Sequence, residues 1–362
     1  ALRALHGQLL APAAEPVPAP LPAAAPAPAP APAPVPDPAP APPVRSSLPA
    51  RLTSFIGRDG ELAALADALE SSRLVTLLGP GGVGKTRLAL EAAEAYAGEG
   101  TVHFAELASV REESEVPGAV LTALGARQTM LRGADELVGG DPLSRLVEHC
   151  AGRRMLLLLD NCEHVVGAAA GLAEAVLARC AGVRVLATSR EALGVPGERV
   201  RPLGPLSQEM GVRLLAERGA AARPGFEVAG DAGAVGEIVR RLDGLPLAIE
   251  LAAARLRVLS ARQIADRLDD RFRLLRSGAR TVLPRQQTLR AVVDWSWDLL
   301  EGPERAVLRR LAVFTGGCDL GAAEAVCAGP EGVEVLDVLG ALVDKSLVVS
   351  VPVESGMRFR LL

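Results

Sequence analysis

Residues 79–86, which read GPGGVGKT, have the residue types and spacing of a phosphate-binding loop. Glycines let a backbone wrap an anion with its amides pointing inward, where a side chain would block the approach. Lys85 then supplies a positive charge to the β- and γ-phosphates, and the Thr86 hydroxyl completes the coordination of Mg²⁺. The predicted nucleotide-binding residues of this loop are Gly81, Gly82, Val83, Gly84, Lys85, Thr86 and Arg87, with Lys85 also catalytic.

An acidic residue is placed to hold the metal. The apolar run 155–159 (MLLLL) ends at Asp160, and a carboxylate at the end of a strand can bind Mg²⁺ directly or through water. The alternative is that Asp160 simply ends a strand before a turn. The next residue is Asn161, which cannot act as a base, so any hydrolysis is expected to be slow. Glu163 is an alternative base, and the sequence leaves that possibility open.

A third candidate is Arg190, which follows the predicted strand 183–187 and is predicted to be catalytic together with Lys85 and Asp160. Its position is at the edge where the γ-phosphate would lie, so a charge-assisted contact would distinguish ATP from ADP. The alternative is an ordinary surface arginine. Of the 39 basic residues only Lys85 and Lys345 are lysine, which leaves 37 arginines.

The elements that must position these residues alternate between strand and helix. Strands separated by helices of about ten residues predict a parallel sheet with helices on both faces, the α/β fold of a P-loop NTPase. Residues 207–275 have a helical period throughout, and the last eighty residues predict short helices and a hairpin, which is the outline of a winged helix. The predicted strands are 73–78, 102–105, 155–159, 183–187, 199–203, 346–351 and 357–362, and the helices before residue 205 are 61–69, 87–96, 143–149 and 168–180.

The pattern divides the chain into five segments. Residues 1–10 carry leucines on one helical stripe and are predicted to be the tail helix of an upstream domain. Residues 11–47 are rich in Ala and Pro and are predicted to be an extended polyproline linker. The P-loop domain is assigned to residues 48–205, a helical domain to 206–280 and a winged-helix-like domain to 281–362. The chain is expected to be an internal fragment of a longer cytoplasmic protein.

Composition argues against several classes of protein. No run of eighteen apolar residues is present, and five unclustered cysteines do not predict a disulfide scaffold. The formal net charge is −4, so the excess of arginine over lysine is interpreted as genomic codon bias rather than as a nucleic-acid-binding signal.

Taken together, these motifs resemble the NB-ARC nucleotide-binding module of the STAND class of signalling ATPases. Segments such as LRAVVDWSWDLL and LVDKSLV are similar to those of actinobacterial SARP/AfsR-like regulators and of some LuxR-type regulators. The resemblance covers about residues 48–362 and is carried by residues 55–58 (FIGR), 156–165 (LLLLDNCEHV), 185–190 (VLATSR) and 244–253 (GLPLAIELAA).

The resemblance implies further site residues and partners. Pro246 would pack against the nucleotide, and Ile56, Gly57 and Arg58 would line its base. In such regulators a DNA-binding head and an activator domain precede the module, helical repeats usually follow it as a sensor, and activation can produce an oligomer. This chain departs from the family at Asn161, and it has no clear counterpart of a histidine that contacts the ADP β-phosphate in some members.

Other candidate sites favour structural roles. Cys162 and His164 lack the three or four converging ligands of a metal site, and Cys318 and Cys327 are predicted to be buried hydrophobic residues. Trp295 and Trp297 are predicted to pack in a core. The expected third helix of the winged-helix region, 320–327, has no basic residue, which favours internal packing over DNA recognition.

The sequence thus predicts an ATP- or ADP-binding switch in a transcriptional regulator, with ATP hydrolysis resetting it slowly. DNA contact is expected only through the upstream head, and no membrane partner is expected. Three alternatives remain: a fast P-loop NTPase, a nucleotide-free interaction scaffold, and direct DNA binding by this chain.

Overall fold

A computed structural model describes residues 48–49, 53–97, 100–125, 141–268, 293–294, 297–314, 316–328, 334–353 and 356–361. All of them belong to one folded unit, Arg45–Leu362. The helix predicted at residues 1–10, the whole of the linker predicted at residues 11–47, and Trp295 lie outside the described residues.

A five-stranded parallel sheet forms the centre of the first domain. Its strand β3 (Met155–Asp160) is buried at every residue, because helices cover both faces. Successive side chains point to opposite faces, so Leu156 and Leu158 pack in one core cluster while Leu157 and Leu159 pack in another. The strand order is β2-β3-β4-β1-β5, where the other strands are β1 (Leu74–Leu78), β2 (Thr101–Glu106), β4 (Val183–Ser189) and β5 (Arg199–Pro202).

Two layers of helices complete this domain. One face is covered by α1 (Asp59–Ser71) and α2 (Lys85–Tyr96). The other face is covered by α3 (Val116–Ala123), α4 (Pro142–Cys150) and α5 (Val166–Arg179). The arrangement confirms the predicted α/β sheet with helices on both faces, although α3 was not predicted.

The sheet order brings the candidate residues to one edge. The strand β4 lies between β1 and β3, and all three run parallel. The phosphate-binding loop follows β1, Asp160 ends β3, and Arg190 follows β4. Because parallel strands present their carboxyl ends at the same edge, these three features lie side by side.

Four helices form a second core beside the sheet. Buried Ile238, Ile249 and Ile264 lie at its centre, and Ile56 from the segment before α1 joins them. The helices are α6 (Gln208–Ala222), α7 (Ala232–Arg241), α8 (Pro246–Arg255) and α9 (Ala261–Asp266).

The last described region has the helices and hairpin of a winged helix. Its helices are α10 (Gly302–Leu311), α11 (Leu320–Cys327) and α12 (Val335–Asp344), and its strands are β6 (Val348–Val353) and β7 (Gly356–Leu361). The strand predicted from residue 346 begins two residues later, because Ser346 adopts a left-handed turn conformation with φ 55°.

One expectation about this region was wrong. Residues 320–327 do form a helix, but the helix directly before the hairpin, the usual position of a recognition helix, is α12. Its apolar residues Val335, Leu339 and Leu342 are buried at the three- and four-residue spacing of a helix that packs on a core.

Candidate functional site

The phosphate-binding loop joins β1 to α2 and is shaped by its glycines. Gly82 and Gly84 have φ values of 79° and 99°, which side-chain-bearing residues rarely adopt. A Cβ atom at Gly82 would lie 3.0 Å from the Cβ atom of Leu247, on the helical domain. Gly82 is therefore required by the backbone conformation and also by the close approach of the second domain.

Lys85 is the buried cation of the loop. Its Nζ atom donates hydrogen bonds to the carbonyl oxygens of Gly79 (2.6 Å) and Pro80 (3.1 Å). The pKa of Lys85 is lowered to about 8, mainly by burial; Arg190 contributes to this lowering, whereas Glu163 and Asp160 oppose it. The ammonium group is thus held at the mouth of the loop in a position that suits a phosphate.

Asp160 is the centre of a buried hydrogen-bond network. Its Oδ1 atom accepts hydrogen bonds from the hydroxyls of Thr86 (2.7 Å) and Thr188 (2.6 Å). Its Oδ2 atom accepts one from the side-chain amide of Asn161 (2.8 Å). Burial raises the pKa of Asp160 to about 6, although the bonds from both threonines lower it. The two residues predicted to hold Mg²⁺, Thr86 and Asp160, are therefore in direct contact.

Asn161 is fixed by its neighbours. Its backbone is left-handed, with φ 62° and ψ 54°, and its backbone amide donates to the hydroxyl of Thr188 (3.0 Å). Since its side-chain amide also donates to Asp160, Asn161 orients the carboxylate. An amide in this role supplies no base.

Glu163 and Arg190 form a buried ion pair beside Lys85. The Nε atom of Arg190 lies 3.5 Å from Oε1 of Glu163, and each side chain is 3% exposed. Both residues line the same cavity as the phosphate-binding loop. The sequence left the role of Glu163 open, and it did not indicate that Glu163 pairs with Arg190.

Arg58 supports the loop from behind. Its Nη2 atom donates hydrogen bonds to the carbonyl oxygens of Val83 (3.0 Å) and Gly204 (2.8 Å), and its Nη1 atom bonds Glu61 (3.0 Å). Burial lowers the pKa of the Arg58 guanidinium, while Glu61 opposes this. Arg58 lines the cavity, as predicted for a base contact, but its bonds show that it also braces the loop.

The helical domain closes the cavity through the segment around Pro246. This residue starts α8, and the backbone amide of the next residue, Leu247, donates to the carbonyl of Gly82 (3.2 Å). Gly244 has φ 67°, and a Cβ atom there would lie 2.4 Å from the carbonyl oxygen of Leu206. The turn before α8 therefore places the helical domain directly on the phosphate-binding loop.

Two arginines hold the segment that precedes Ile56 and Gly57. Arg87 bonds the hydroxyl and carbonyl of Thr53, and Arg218 bonds the hydroxyl (3.0 Å) and carbonyl (2.9 Å) of Ser54. Arg218 also bonds Glu250 (3.0 Å). Arg218, Ser54 and Glu250 could not be predicted from the sequence, because they belong to no sequence motif.

Gly57 has φ 68°, and a Cβ atom there would overlap the side chain of Met210.

These elements enclose a cavity of about 250 Å³. All predicted site residues except Gly57 and Asp160 line it, and Asp160 lies behind Thr86. The lining residues are Ser54, Phe55, Ile56, Arg58, Gly81, Gly82, Val83, Gly84, Lys85, Thr86, Arg87, Asn161, Glu163, Arg190, Leu206, Leu214, Arg218, Pro246, Leu247 and Glu250.

The winged helix touches the site at Arg190. The hydroxyl of Ser346 donates a buried hydrogen bond to the carbonyl of Arg190 (2.9 Å). Next to it, Lys345 donates to both carboxylate oxygens of Glu304 (2.8 Å each). A small cavity of about 50 Å³ at this contact is lined by residues from both domains, including Glu163 and Leu347.

The other candidate residues are structural. Cys162 is fully buried and bonds the carbonyl of Leu159, while His164 contacts the carbonyls of Leu107 and Val110. Cys318 and Cys327 belong to the core of the winged helix. Among the described residues, no group of three or more His, Cys, Asp or Glu side chains could hold a metal ion. In the same residues, no helix is long and apolar enough to cross a membrane.

Comparison with known proteins places both main regions in families. Residues 54–284 match the model of an AAA ATPase domain, and residues 300–362 match a winged helix-turn-helix domain. These matches agree with the predicted fold, a P-loop NTPase followed by a winged helix.

The similar curated proteins are mycobacterial. The Mycobacterium tuberculosis protein named "Putative HTH-type transcriptional regulator Rv0890c" is 46% identical over 298 residues, 81% of this chain and 33% of its own length. The chain therefore spans about a third of that relative. Rv0894 of the same organism is 45% identical over 314 residues, which cover 84% of this chain and 78% of Rv0894.

A solved structure shares the fold. The Walker-type ATPase of Pyrococcus abyssi superposes with a TM-score of 0.58 at 16% identity, and the match covers 88% of this chain and 96% of that one.

Proposed function

The chain belongs to the AAA ATPase domain family and carries a winged helix-turn-helix domain, and we propose that it is an ATP- and ADP-binding switch module of a transcriptional regulator. The observation that carries the proposal is the position of the phosphate-binding loop. Lys85 and Thr86 face a cavity whose walls include Pro246 of the helical domain and Arg190, which bonds the winged helix. A ligand in this cavity would touch or adjoin all three regions.

The donor set at the phosphate end fits Mg²⁺. Thr86 donates its hydroxyl proton to Asp160, which leaves the lone pairs of the Thr86 oxygen for a cation. Hydroxyl and carboxylate oxygens are ligands that Mg²⁺ prefers. Thr86 and Asp160 would therefore hold the ion, which would supply charge neutralisation at the phosphates.

The proposed hydrolysis of ATP to ADP is slow. The residue after Asp160 is an asparagine whose amide is committed to that carboxylate, so no base stands at this position. Slow hydrolysis suits a switch, since the two nucleotide states then persist long enough to be read. Moving a conformational equilibrium from 1:99 to 99:1 needs a difference of about 5.5 kcal/mol in binding free energy.

The relatives and motifs support the regulatory context. The relative Rv0890c is named as a putative HTH-type transcriptional regulator, and the motifs described above resemble the NB-ARC module of SARP/AfsR-like or LuxR-type proteins. In this proposal the DNA-binding head lies upstream, a helical-repeat sensor lies downstream, and nucleotide exchange can drive an oligomer.

The test is the nucleotide that the protein carries. Purified protein is denatured, and the released small molecules are identified by chromatography. We expect ADP in near-stoichiometric amount, together with saturable binding of fluorescent ADP and ATP. Turnover well above about one per minute would instead support a fast NTPase, and an absence of nucleotide binding would support a scaffold.

The match to a winged helix-turn-helix domain favours DNA binding as a second candidate function. Two features favour internal packing. Within the described residues α12 has Asp337 and Asp344 but no Arg or Lys, and the guanidinium of Arg358 on the hairpin donates to the carbonyls of Gly316 and Gly317. Retention of duplex DNA that falls steeply with added salt would support the second candidate.

A further inference from the structure

The pair of Glu163 and Arg190 lies at the phosphate end of the cavity. Glu163 follows β3 and Arg190 follows β4, so neighbouring strands deliver them to the same edge. Both are buried, and both are close enough to Lys85 to affect its pKa in opposite directions. A terminal phosphate bound at Lys85 would therefore meet the positive Arg190 and the negative Glu163 together.

The contact between the two side chains is long for a buried pair. A well-formed contact between arginine and a carboxylate has two hydrogen bonds of about 2.7–2.9 Å, whereas the Nε atom of Arg190 lies 3.5 Å from Oε1 of Glu163. The Oε2 atom of Glu163 has no hydrogen-bond partner among the described residues. The pair keeps its Coulomb attraction but gains little from hydrogen bonding, so a ligand with several anionic oxygens can displace the carboxylate.

We propose that Glu163 sets the preference of the site for nucleoside diphosphate over triphosphate by competing with the terminal phosphate for Arg190. With a diphosphate, Arg190 stays with Glu163. With a triphosphate, Arg190 must leave Glu163, and the carboxylate repels the added charge. Glu163 is thus a positioning residue that acts through Arg190, and this role rests on the proposed nucleotide-binding function.

The position of Arg190 gives this competition a route to the rest of the chain. The backbone carbonyl of Arg190 accepts the hydrogen bond of Ser346, at the start of the turn into the winged-helix hairpin. A change in the side-chain partner of Arg190 therefore occurs in the same residue whose backbone contacts the winged helix. The competition therefore occurs at a residue that lies at the terminal phosphate and also contacts the winged helix, so the identity of the nucleotide can affect the contact between the domains.

The test measures the ratio of the dissociation constants for ADP and for a non-hydrolysable ATP analogue, with the same purified chain and excess Mg²⁺. In Glu163→Gln we expect this ratio to shift at least tenfold toward the triphosphate, because the attraction on Arg190 and the repulsion of the phosphate are both removed. Glu163→Asp, which keeps the charge, should restore part of the preference. Glu237→Gln is the matched control, since this carboxylate is paired with Arg262 in the helical domain, and its ratio should equal that of the wild type.

A double-mutant cycle separates competition from a merely structural effect. Arg190→Gln should shift the ratio toward the diphosphate, and adding Glu163→Gln to it should shift the ratio back by clearly less than Glu163→Gln does alone, because only the repulsion is then removed. A wild-type ratio in Glu163→Gln, or an equal shift in both backgrounds, would overturn the proposal. If the wild type bound neither ADP nor the ATP analogue, the proposed function itself would be overturned.

Discussion

The two ends of the cavity are built differently. At the phosphate end, Lys85, Glu163 and Arg190 are almost fully buried and come from one sheet edge. At the opposite end, Arg218 is more exposed, and it holds Ser54 by contacts that join α6 to the segment before α1. Buried charges interact strongly and tolerate little change, whereas exposed ion pairs contribute about 0–1 kcal/mol and are screened by salt.

This difference indicates where the site opens. The charged side chains of the phosphate end all come from the first domain, so we expect their arrangement to change little between nucleotide states. The opposite end depends on the helical domain, through Arg218 of α6 and Glu250 of α8. Movement of the helical domain would therefore break the contacts at Ser54 before it disturbs Lys85.

The largest effect is expected at the phosphate end, in Lys85→Ala. Losing a buried cation that contacts phosphate should cost about 2–5 kcal/mol, which corresponds to a loss of affinity of about thirtyfold or more for both nucleotides in calorimetry. Because burial lowers the pKa of Lys85 to about 8, the charged side chain is poorly solvated in the free protein. The nucleotide-free variant should therefore unfold at nearly the wild-type temperature. A large drop in that temperature would show that folding, and not binding, was lost.

The pH dependence of affinity should also come from the phosphate end. The pKa of Lys85 is lowered to about 8, so the charge that binds phosphate is lost as the pH rises above 8. The pKa of Asp160 is raised to about 6, so the carboxylate that would hold Mg²⁺ is lost as the pH falls below 6. Affinity for Mg-ADP should be greatest between these values and should fall up to about tenfold per pH unit on either side.

Chelating the metal with EDTA tests which group causes each of the two falls in affinity. In EDTA the loss of affinity below pH 6, the acidic limb of the pH profile, should disappear, because Asp160 then has no ion to bind. The loss of affinity above pH 8 should remain. An acidic limb that persisted in EDTA would assign it to another group.

The comparison also explains what the sequence could predict. The loop at residues 79–86 and Asp160 could be predicted because each belongs to a motif of consecutive residues. The apolar run before Asp160 predicted a strand buried on both faces. The contacts of the opposite end could not be found in this way. Arg218 bonds Ser54 across 164 positions, and Ser346 bonds Arg190 across 156.

At two places the local sequence pattern led to an incomplete or incorrect prediction. Residues 320–327 were expected to form the third helix of the winged-helix region, where a recognition helix would lie, but the helix directly before the hairpin is α12. Glu163 was weighed only as a base, because its pairing with Arg190 depends on the order of β3 and β4 in the sheet, which a single sequence does not state.

A smaller effect is expected at the opposite end, in Arg218→Gln. The variant loses the contacts with Ser54 and Glu250, and the contacts are partly exposed, so affinity for both nucleotides should fall by about threefold to tenfold. The loss should shrink at high salt, whereas that of Lys85→Ala should not. Arg213→Gln, an exposed position on the same helix, is the matched control and should bind as the wild type. Equal salt dependence in the Lys85 and Arg218 variants would contradict the proposed difference between the two ends.

The smallest effect is expected at Ser346, where the winged helix meets Arg190. Removing its hydroxyl in Ser346→Gly deletes one buried hydrogen bond, worth about 1 kcal/mol, without straining the left-handed backbone. Ser346→Ala deletes the same bond and keeps the Cβ atom in the left-handed conformation, whereas glycine relieves that strain, so the alanine variant should have the larger effect. Hydrogen exchange of β6 should accelerate by about fivefold in the glycine variant, while Ser350→Ala, inside that strand, should exchange as the wild type. If hydrogen exchange accelerates fivefold without any change in the rate of ADP release, the winged helix packs on Arg190 but does not control nucleotide binding. If the rate of ADP release rises by the same factor, the contact of the winged helix with Arg190 contributes to holding the nucleotide.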